Sequence, residues 1–368
     1  MKKFLLGILC GLVLAFLVAI VMSFAMMRFG AEPTITIADD STLMLNLEGE
    51  IAEVNSAEMP FPFLGQQSPP TVYEIWTAIR EAAKDPRVKA IALQPRNVGA
   101  GWAKLEELRD ALKEFRKSGK PVIAWLRSPS AREYYLATAA DKIYIVEEDI
   151  LDLKGLRAEM TYFKGTLDKL GVQMEMEHIG KYKDAGDSYT RTSPTPESRE
   201  VIGSILDGVL RQMIDSIAEG RKKSPEEIRN LIDEGPFLAD KAFKAGLVDG
   251  LKYEDQALDE LKKGQSELKK LGLRTYIREA LSKQKGEKIA LIAGAGAIFR
   301  GSGRSLGSDD SIFSDDFIKL LRDAGKDKSL KGAIIRVDSP GGDAVASDDI
   351  LREMRLLSKK MPLVISMS

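Results

Sequence analysis

Lys331–Asp343 reads KGAIIRVDSPGGD, and the fold can be worked out from this stretch outward. The apolar run Ala333-Ile334-Ile335 leads through Arg336-Val337-Asp338 into Ser339-Pro340-Gly341-Gly342. A short apolar run stopped by a Pro-Gly turn reads as a buried strand ending in a loop. Pro340 fixes φ, and two glycines let the backbone turn with φ > 0 and approach a ligand closely. Asp343–Leu357 (DAVASDDILREMRLL) follows with helical composition and spacing. Strand, glycine turn and helix in that order set backbone N–H groups at a helix start, where they can hold a negatively charged oxygen. A phosphate, an enolate and a tetrahedral oxyanion all satisfy that description, and the motif alone does not choose among them.

Upstream, short apolar strands alternate with helices. Thr42–Ile51, Val88–Leu93, Pro121–Trp125 and Lys142–Val146 read as strands; Val72–Lys84 is amphipathic, and Trp102–Lys117 is helical. Prolines and glycines from Pro60 to Pro70 mark an irregular surface segment. This alternation implies an α/β fold with a mostly parallel sheet and crossover helices. Farther on, Ile179–Gly186 (IGKYKDAG) is a loop holding Lys181 and Lys183. Pro196–Ile217 reads as a helix capped by Thr195, with Ile202, Ile205, Leu206, Val209, Met213 and Ile217 on an apolar stripe. Gly235–Gly250 reads as a helix closed by Gly246, and Asp255–Lys288 as a solvated, Lys/Glu/Leu-rich helical connector.

The opening stretch repeats an earlier one. Ile79–Asp85 and Val88–Ile91 lie under Leu321–Asp327 and Leu330–Ala333 at an offset of 242 residues, the distance from Lys84 to Lys326. At that offset Gly341 falls on Gly99; after one gap Pro362-Leu363-Val364 falls on Pro121-Val122-Ile123. Leu47–Ile51 matches Gly294–Ile298. Two copies of one α/β unit are therefore expected in tandem. The second copy breaks off at Ser368, the counterpart of about Arg127, so a truncated chain is expected. The expected organisation is an anchor over 1–28, a first repeat over 29–262, a connector over 263–287 and the start of a second, incomplete repeat over 288–368.

Composition narrows the classes. With 368 residues, 44% of them hydrophobic, the chain can bury a sizeable core, and 54 basic against 55 acidic residues give no sign of a nucleic-acid binder. One cysteine, Cys10, excludes a disulfide framework or a cysteine zinc site, and one histidine excludes a His-rich metal site. That histidine, His178, follows the apparent strand Val172–Glu177 and reads as structural, so hydrolytic chemistry is expected to use something other than a Ser-His-Asp triad. Lys2 and Lys3 precede the apolar run Phe4–Met27. The run is long enough for a ~30 Å hydrocarbon core, so a retained anchor is expected rather than a cleaved leader, although Ser23-Phe24-Ala25 would serve as an exit. The lysines predict a cytoplasmic N-terminus with the remainder of the chain outside. The expected location is an inner (cytoplasmic) membrane crossed once, with the bulk of the chain on its periplasmic or extracytoplasmic side.

Taken together, these features resemble the signal peptide peptidase A (SppA, protease IV) family in its long, two-repeat form, within the crotonase/Clp-protease superfamily. The resemblance rests on the anchor, on Tyr182-Lys183 in its Gly-Lys-Tyr-Lys-x-Ala setting, on Ala242-x3-Gly246-Leu247-Val248-Asp249, and on Arg336–Gly342. It implies tandem crotonase/Clp-protease-like (ββα superhelix) repeats and a serine endopeptidase working through a Ser-Lys dyad, with the base from the first repeat and the serine from the second. Lys183 matches the base; Lys181 precedes the family's Tyr-Lys pair and does not. The resemblance assigns the Gly342 N–H to the oxyanion hole, with Gly341 shaping the turn. A solvated lysine, with pKa about 10.4, is a poor base at neutral pH, so burial beside positive charge would have to activate it.

The family's nucleophile lies in a Ser-Gly-Gly-Tyr-like stretch after the strand that Leu363–Met367 forms here, and this chain holds no such stretch. Ser366 and Ser368 belong to that strand or its end. In the first repeat Ala131 stands at the serine position and Arg132-Glu133 replace Gly-Gly, while Ser128 and Ser130 are out of register. The 368-residue chain is therefore expected to be inactive alone, and a full product of about 580–600 residues to be the peptidase. The expected substrates are signal-peptide remnants and other apolar peptides at the bilayer surface. The resemblance also implies a homo-oligomer at full length; no nucleic acid, metal or organic cofactor is indicated. The alternatives are a non-catalytic membrane-anchored scaffold and a crotonase-like acyl-CoA enzyme, the latter at odds with an outward-facing topology.

Overall fold

The computed structural model describes residues 36–54, 69–262, 264–282, 285–303 and 311–367, with residues 7, 11, 13–17 and 20 nearer the start. The chain divides into Met1–Ala38 and Asp39–Ser368. In the first unit the described residues up to 20 are helical, and Val13, Leu14, Phe16, Leu17 and Ile20 are exposed. Among the described residues no helix is long and apolar enough to cross a membrane. The anchor expected over Phe4–Met27, Cys10 included, falls largely outside them, as do most of the Pro60–Pro70 segment and Ser368.

The second unit is mixed α/β with parallel sheets. Its strands are β1 (Ser41–Glu50), β2 (Val88–Gly99), β3 (Val122–Leu126), β4 (Lys142–Ile145), β5 (Ile150–Leu151), β6 (Phe237–Leu238), β7 (Gly250–Leu251), β8 (Lys270–Gly272), β9 (Lys288–Ala295), β10 (Ala297–Phe299), β11 (Ser311–Phe313), β12 (Leu330–Asp338) and β13 (Leu363–Met367). Six form one parallel sheet in the order β7-β4-β3-β2-β1-β8. Every residue of β3 and the first five of β1 are buried, as expected of parallel strands covered on both faces.

The crossover helices form where their apolar spacing and caps direct. The helix Val72–Lys84 starts in a capping box: the Glu74 N–H donates to Thr71 Oγ1 (3.2 Å) and the Thr71 N–H to Glu74 Oε2 (2.8 Å). The helix Trp102–Lys117 buries Leu105, Leu108, Leu112 and Phe115 on one stripe. Strand β2 runs past the expected Leu93 to Gly99 and includes Pro95. Beyond Leu93 it pairs with β1 only, so one side is an edge where proline removes no ladder hydrogen bond.

A second parallel sheet has the order β13-β12-β9. In the first sheet Leu43 faces Ile91 and Ile91 faces Val122; in the second, Ala290 faces Ala333 and Ala333 faces Leu363. Helices Trp102–Lys117 and Ala344–Ser358 begin 242 residues apart, as do β2 and β12. Ile292, Phe317, Leu321, Ile335, Ile350 and Leu357 are in the core beside this sheet.

Four expectations need correction. The Lys/Glu/Leu-rich segment is not a solvated helical connector: β8 extends the first sheet beside β1, and the helix Leu273–Ser282 buries Leu273, Tyr276, Ile277 and Ala280. The helix begun at Pro196 continues to Arg221; Met213 and Ile217 of its stripe are buried but Ile205 is 60% exposed, because the helix buries apolar side chains only in its C-terminal half. Gly235–Gly250 is mostly not helical: β6 precedes a short helix, Ala239–Lys244, and Gly246 turns with φ +70°. Val172–Glu177 pairs with no strand among the described residues and is exposed throughout.

Candidate active site

The Ser339–Gly342 turn lies at the end of β12. Gly341 has φ +100°, a conformation that a side chain disfavours. The Ile298 N–H donates to the Gly341 carbonyl and the Asp343 N–H to the Ile298 carbonyl, each at 2.9 Å, so β10 is laced to the turn. A Cβ on Gly342 would meet the Ile298 carbonyl oxygen at 2.2 Å, so only glycine permits this approach. The Gly341 N–H donates to Ser339 Oγ (3.1 Å), whereas the Gly342 N–H has no acceptor among the described residues. Asp343 caps the following helix, accepting from the Val345 and Ala346 N–H groups at 2.9 Å each. Arg300 beside it (2.8 Å) and those N–H donors hold its carboxyl below the usual aspartate range. The turn thus presents an unengaged N–H at a helix start, where it can stabilise a developing oxyanion.

Lys183 lies in the irregular loop before the helix that starts at Pro196; its side chain is exposed and has no ion-pair partner among the described residues. Its neighbours tie the loop to that helix. The Tyr182 hydroxyl donates to Glu200 Oε2 (3.1 Å), and the Ser198 hydroxyl donates to Asp184 Oδ2. Lys181 lies over the Tyr182 ring (4.7 Å), and its hydrogen bond to Tyr182 raises its pKa above the usual lysine value. His178 is exposed, with Nδ1 2.9 Å from the Gly180 carbonyl oxygen. No hydrogen bond or ion pair among the described residues joins the Lys183 loop to the Gly341-Gly342 turn.

The serines of the first half have structural work. Ser128 Oγ donates to Asp149 Oδ1 (3.1 Å), and the Ser130 hydroxyl donates to Glu133 in the capping box of the helix Ala131–Ala137. A hollow of ≈ 410 Å³ opens there between Ser130-Ala131-Arg132, Trp102 and Leu206. Ser366 lies in β13, paired with Arg336.

The structure also gathers charges that the sequence reading did not connect. Arg336 forks onto Glu53 through Nε and Nη2 (2.5 and 2.9 Å) and reaches Glu107 through Nη1 (2.6 Å). Lys104 Nζ lies 2.9 Å from Asp338 and 3.6 Å from Glu53. Burial works against the Arg336 charge, but the hydrogen bonds to Glu53 and Glu107 outweigh it and raise its pKa. Glu53 and Arg336 are 283 residues apart, and neither periodicity nor spacing joins residues so distant.

Residues 114–269 match the profile of Peptidase family S49. The chain is 31% identical over 347 residues to the chloroplastic serine protease SPPA of Arabidopsis thaliana, covering 92% of this chain and 50% of that protein. It is 28% identical over 366 residues to Protease 4 of Haemophilus influenzae, covering 92% of this chain and 58% of the relative. A relative in Enterococcus faecium that carries signal peptide peptidase SppA in its name is 26% identical over 188 residues, 51% of this chain and 54% of that protein. The chain spans about half the length of the curated relatives it matches.

Proposed function

The chain belongs to peptidase family S49, and from that membership we propose that it supplies the general base and oxyanion donor of a membrane-anchored serine endopeptidase. Lys183 is the base and the Gly342 N–H is the donor. The nucleophile is a serine in a Ser-Gly-Gly-Tyr-like stretch following β13. Lys183 is exposed in the 368-residue chain, so its activation requires the longer protein to bury it. That serine's Oγ then attacks the scissile carbonyl as Lys183 Nζ takes its proton, and Gly342 stabilises the tetrahedral oxyanion. The proton passes to the leaving amine as the C–N bond breaks. Water, deprotonated by Lys183, then attacks the acyl carbonyl, and Lys183 returns that proton to the serine Oγ as the acyl C–O bond breaks. The observation that carries the reading is the unengaged Gly342 N–H, held by β10 beside a helix start while the Gly341 N–H is spent on Ser339.

The finer architecture belongs to the same proposal: tandem crotonase/Clp-protease-like repeats behind an apolar N-terminal anchor. The equal pairing registers and the 242-residue offset of helix starts support the repeat. An anchor would hold the site near the bilayer on the extracytoplasmic side, within reach of signal-peptide remnants and other apolar peptides. Homo-oligomeric assembly follows from the family resemblance.

The test reads the gene in frame past codon 368 and assays both polypeptides on an apolar fluorogenic peptide. The expected result is an encoded Ser-Gly-Gly-Tyr, turnover only in the longer protein, and a loss of about 10²–10⁴-fold in Lys183→Ala. Turnover by residues 1–368 alone that Lys183→Ala removes, or full activity of Lys183→Ala in the longer protein, overturns it.

A further inference from the structure

We propose that Glu53, Lys104 and Glu107 are positioning residues for the oxyanion turn, clamping the end of β12 through Arg336 and Asp338 so that the Gly342 N–H is held in one orientation. The inference rests on the peptidase reading above and adds contacts which that reading does not require.

Asp338 immediately precedes Ser339, and Arg336 lies two residues before Asp338, so displacement of either passes directly into the turn. The clamp joins the two halves of the molecule. Glu53 follows β1, Lys104 and Glu107 lie on the helix Trp102–Lys117, and Arg336 and Asp338 close β12. Its centre is dry: the Glu53 side chain is 1% exposed, Arg336 10% and Lys104 11%. Lys104 also donates to the Ile51 carbonyl at 3.3 Å, so its ammonium is fixed between backbone and carboxylates.

A guanidinium that grips a carboxylate with two parallel N–H bonds fixes direction as well as distance. A buried charge deprived of its partner is strongly unfavourable, so these groups are satisfied together or not at all. The position 242 residues before Arg336 is Gln94, which donates instead to Glu254 (2.9 Å) within the first half. There the counterpart of the Gly341-Gly342 pair is Gly99-Ala100. The cross-half grip thus goes with the strand that carries the paired glycines.

Glu53→Gln in the full-length protein preserves shape and removes the charge. Hydrogen exchange of amides 338–344 is expected to accelerate about tenfold or more while β1–β3 keep their protection. On an apolar peptide kcat is expected to fall about tenfold or more with KM nearly unchanged. Arg336→Lys, which keeps the charge without the fork, should resemble Glu53→Gln rather than the parent. Glu107→Gln, whose side chain is 38% exposed, should show the same pattern more weakly, and carries the test if Glu53→Gln does not fold. Unchanged exchange at 338–344 in the folded variants, or equal acceleration throughout both sheets, overturns the proposal. Lys183→Ala in the same assays separates the two claims. Lost turnover with parental exchange upholds the peptidase reading on its own, and retained turnover refutes that reading while the exchange data still judge the clamp.

Discussion

Alanine at Gly342 would set a Cβ against the Ile298 carbonyl, whereas alanine at Gly341 would enter open space and meet only the penalty of φ +100°. The first change must push β10 and the turn apart, at roughly 1–3 kcal/mol as for other overpacked sites. The second costs roughly 1 kcal/mol through backbone strain. Urea unfolding should therefore rank Gly342→Ala below Gly341→Ala, and equal midpoints would show that the turn relaxes without cost. The Pro-Gly-Gly run was readable as a turn from residue types alone. Which N–H remains available was not, because that depends on Ser339 capturing one donor and Ile298 lacing its neighbours. Lys183 stands out as a candidate only through its Tyr-Lys setting, since an exposed lysine in a polar loop has no local physical mark.

Elements with strong periodicity were legible to the residue: the helices Val72–Lys84 and Trp102–Lys117 have the expected bounds. Strand β8 has three residues, too few for any pattern, and the helix behind it was obscured by its charged neighbours. Yet Leu273, Tyr276, Ile277 and Ala280 follow helical spacing, and all four are buried. Tyr276 is 1% exposed, and its hydroxyl donates to Asp85 Oδ2 at 3.3 Å, beside Arg87. Tyr276→Ala should therefore cost about 3–5 kcal/mol in chemical unfolding, where a solvated linker would lose almost nothing.

Glu260 makes a second tie at this scale, joining β4 to the chain beyond β7 through Lys142 (2.8 Å), Lys252 and the Tyr144 hydroxyl (2.6 Å). Burial alone would raise its carboxyl, but these hydrogen bonds outweigh it and pull the pKa from 4.5 to about 2. A carboxylate depressed by folding stabilises in full above its unfolded pKa and loses that contribution as pH falls through the folded one. The melting-temperature advantage of the parent over Glu260→Gln should hold at neutral pH, narrow below about 4.5 and vanish near 2. A gap independent of pH would assign the effect to packing.

Across the whole molecule, the two sheets share register but not depth of burial. The first has six strands, and β3 is buried at every residue; β13 is buried at none, with Val364 59% and Ile365 50% exposed. The ties described between the halves are charged, and they converge on the end of β12. Fewer buried apolar contacts mean a lower free energy of local opening, so the second sheet should open as a separate unit before the first. Leu93 and Ile335 provide the comparison, because they hold matching positions 242 residues apart and both are 0% exposed. Each loses about 2–5 kcal/mol of local stability on truncation to alanine. In Ile335→Ala, amide exchange should quicken in β9, β12 and β13 while β1 to β4 remain protected. In Leu93→Ala, the first sheet should quicken as well as the second, because the second sheet opens at lower free energy and the clamp that steadies it is rooted in the first half. Exchange that rose equally in both sheets for Ile335→Ala would mean a single cooperative unit, with the ionic clamp strong enough to transmit the loss throughout.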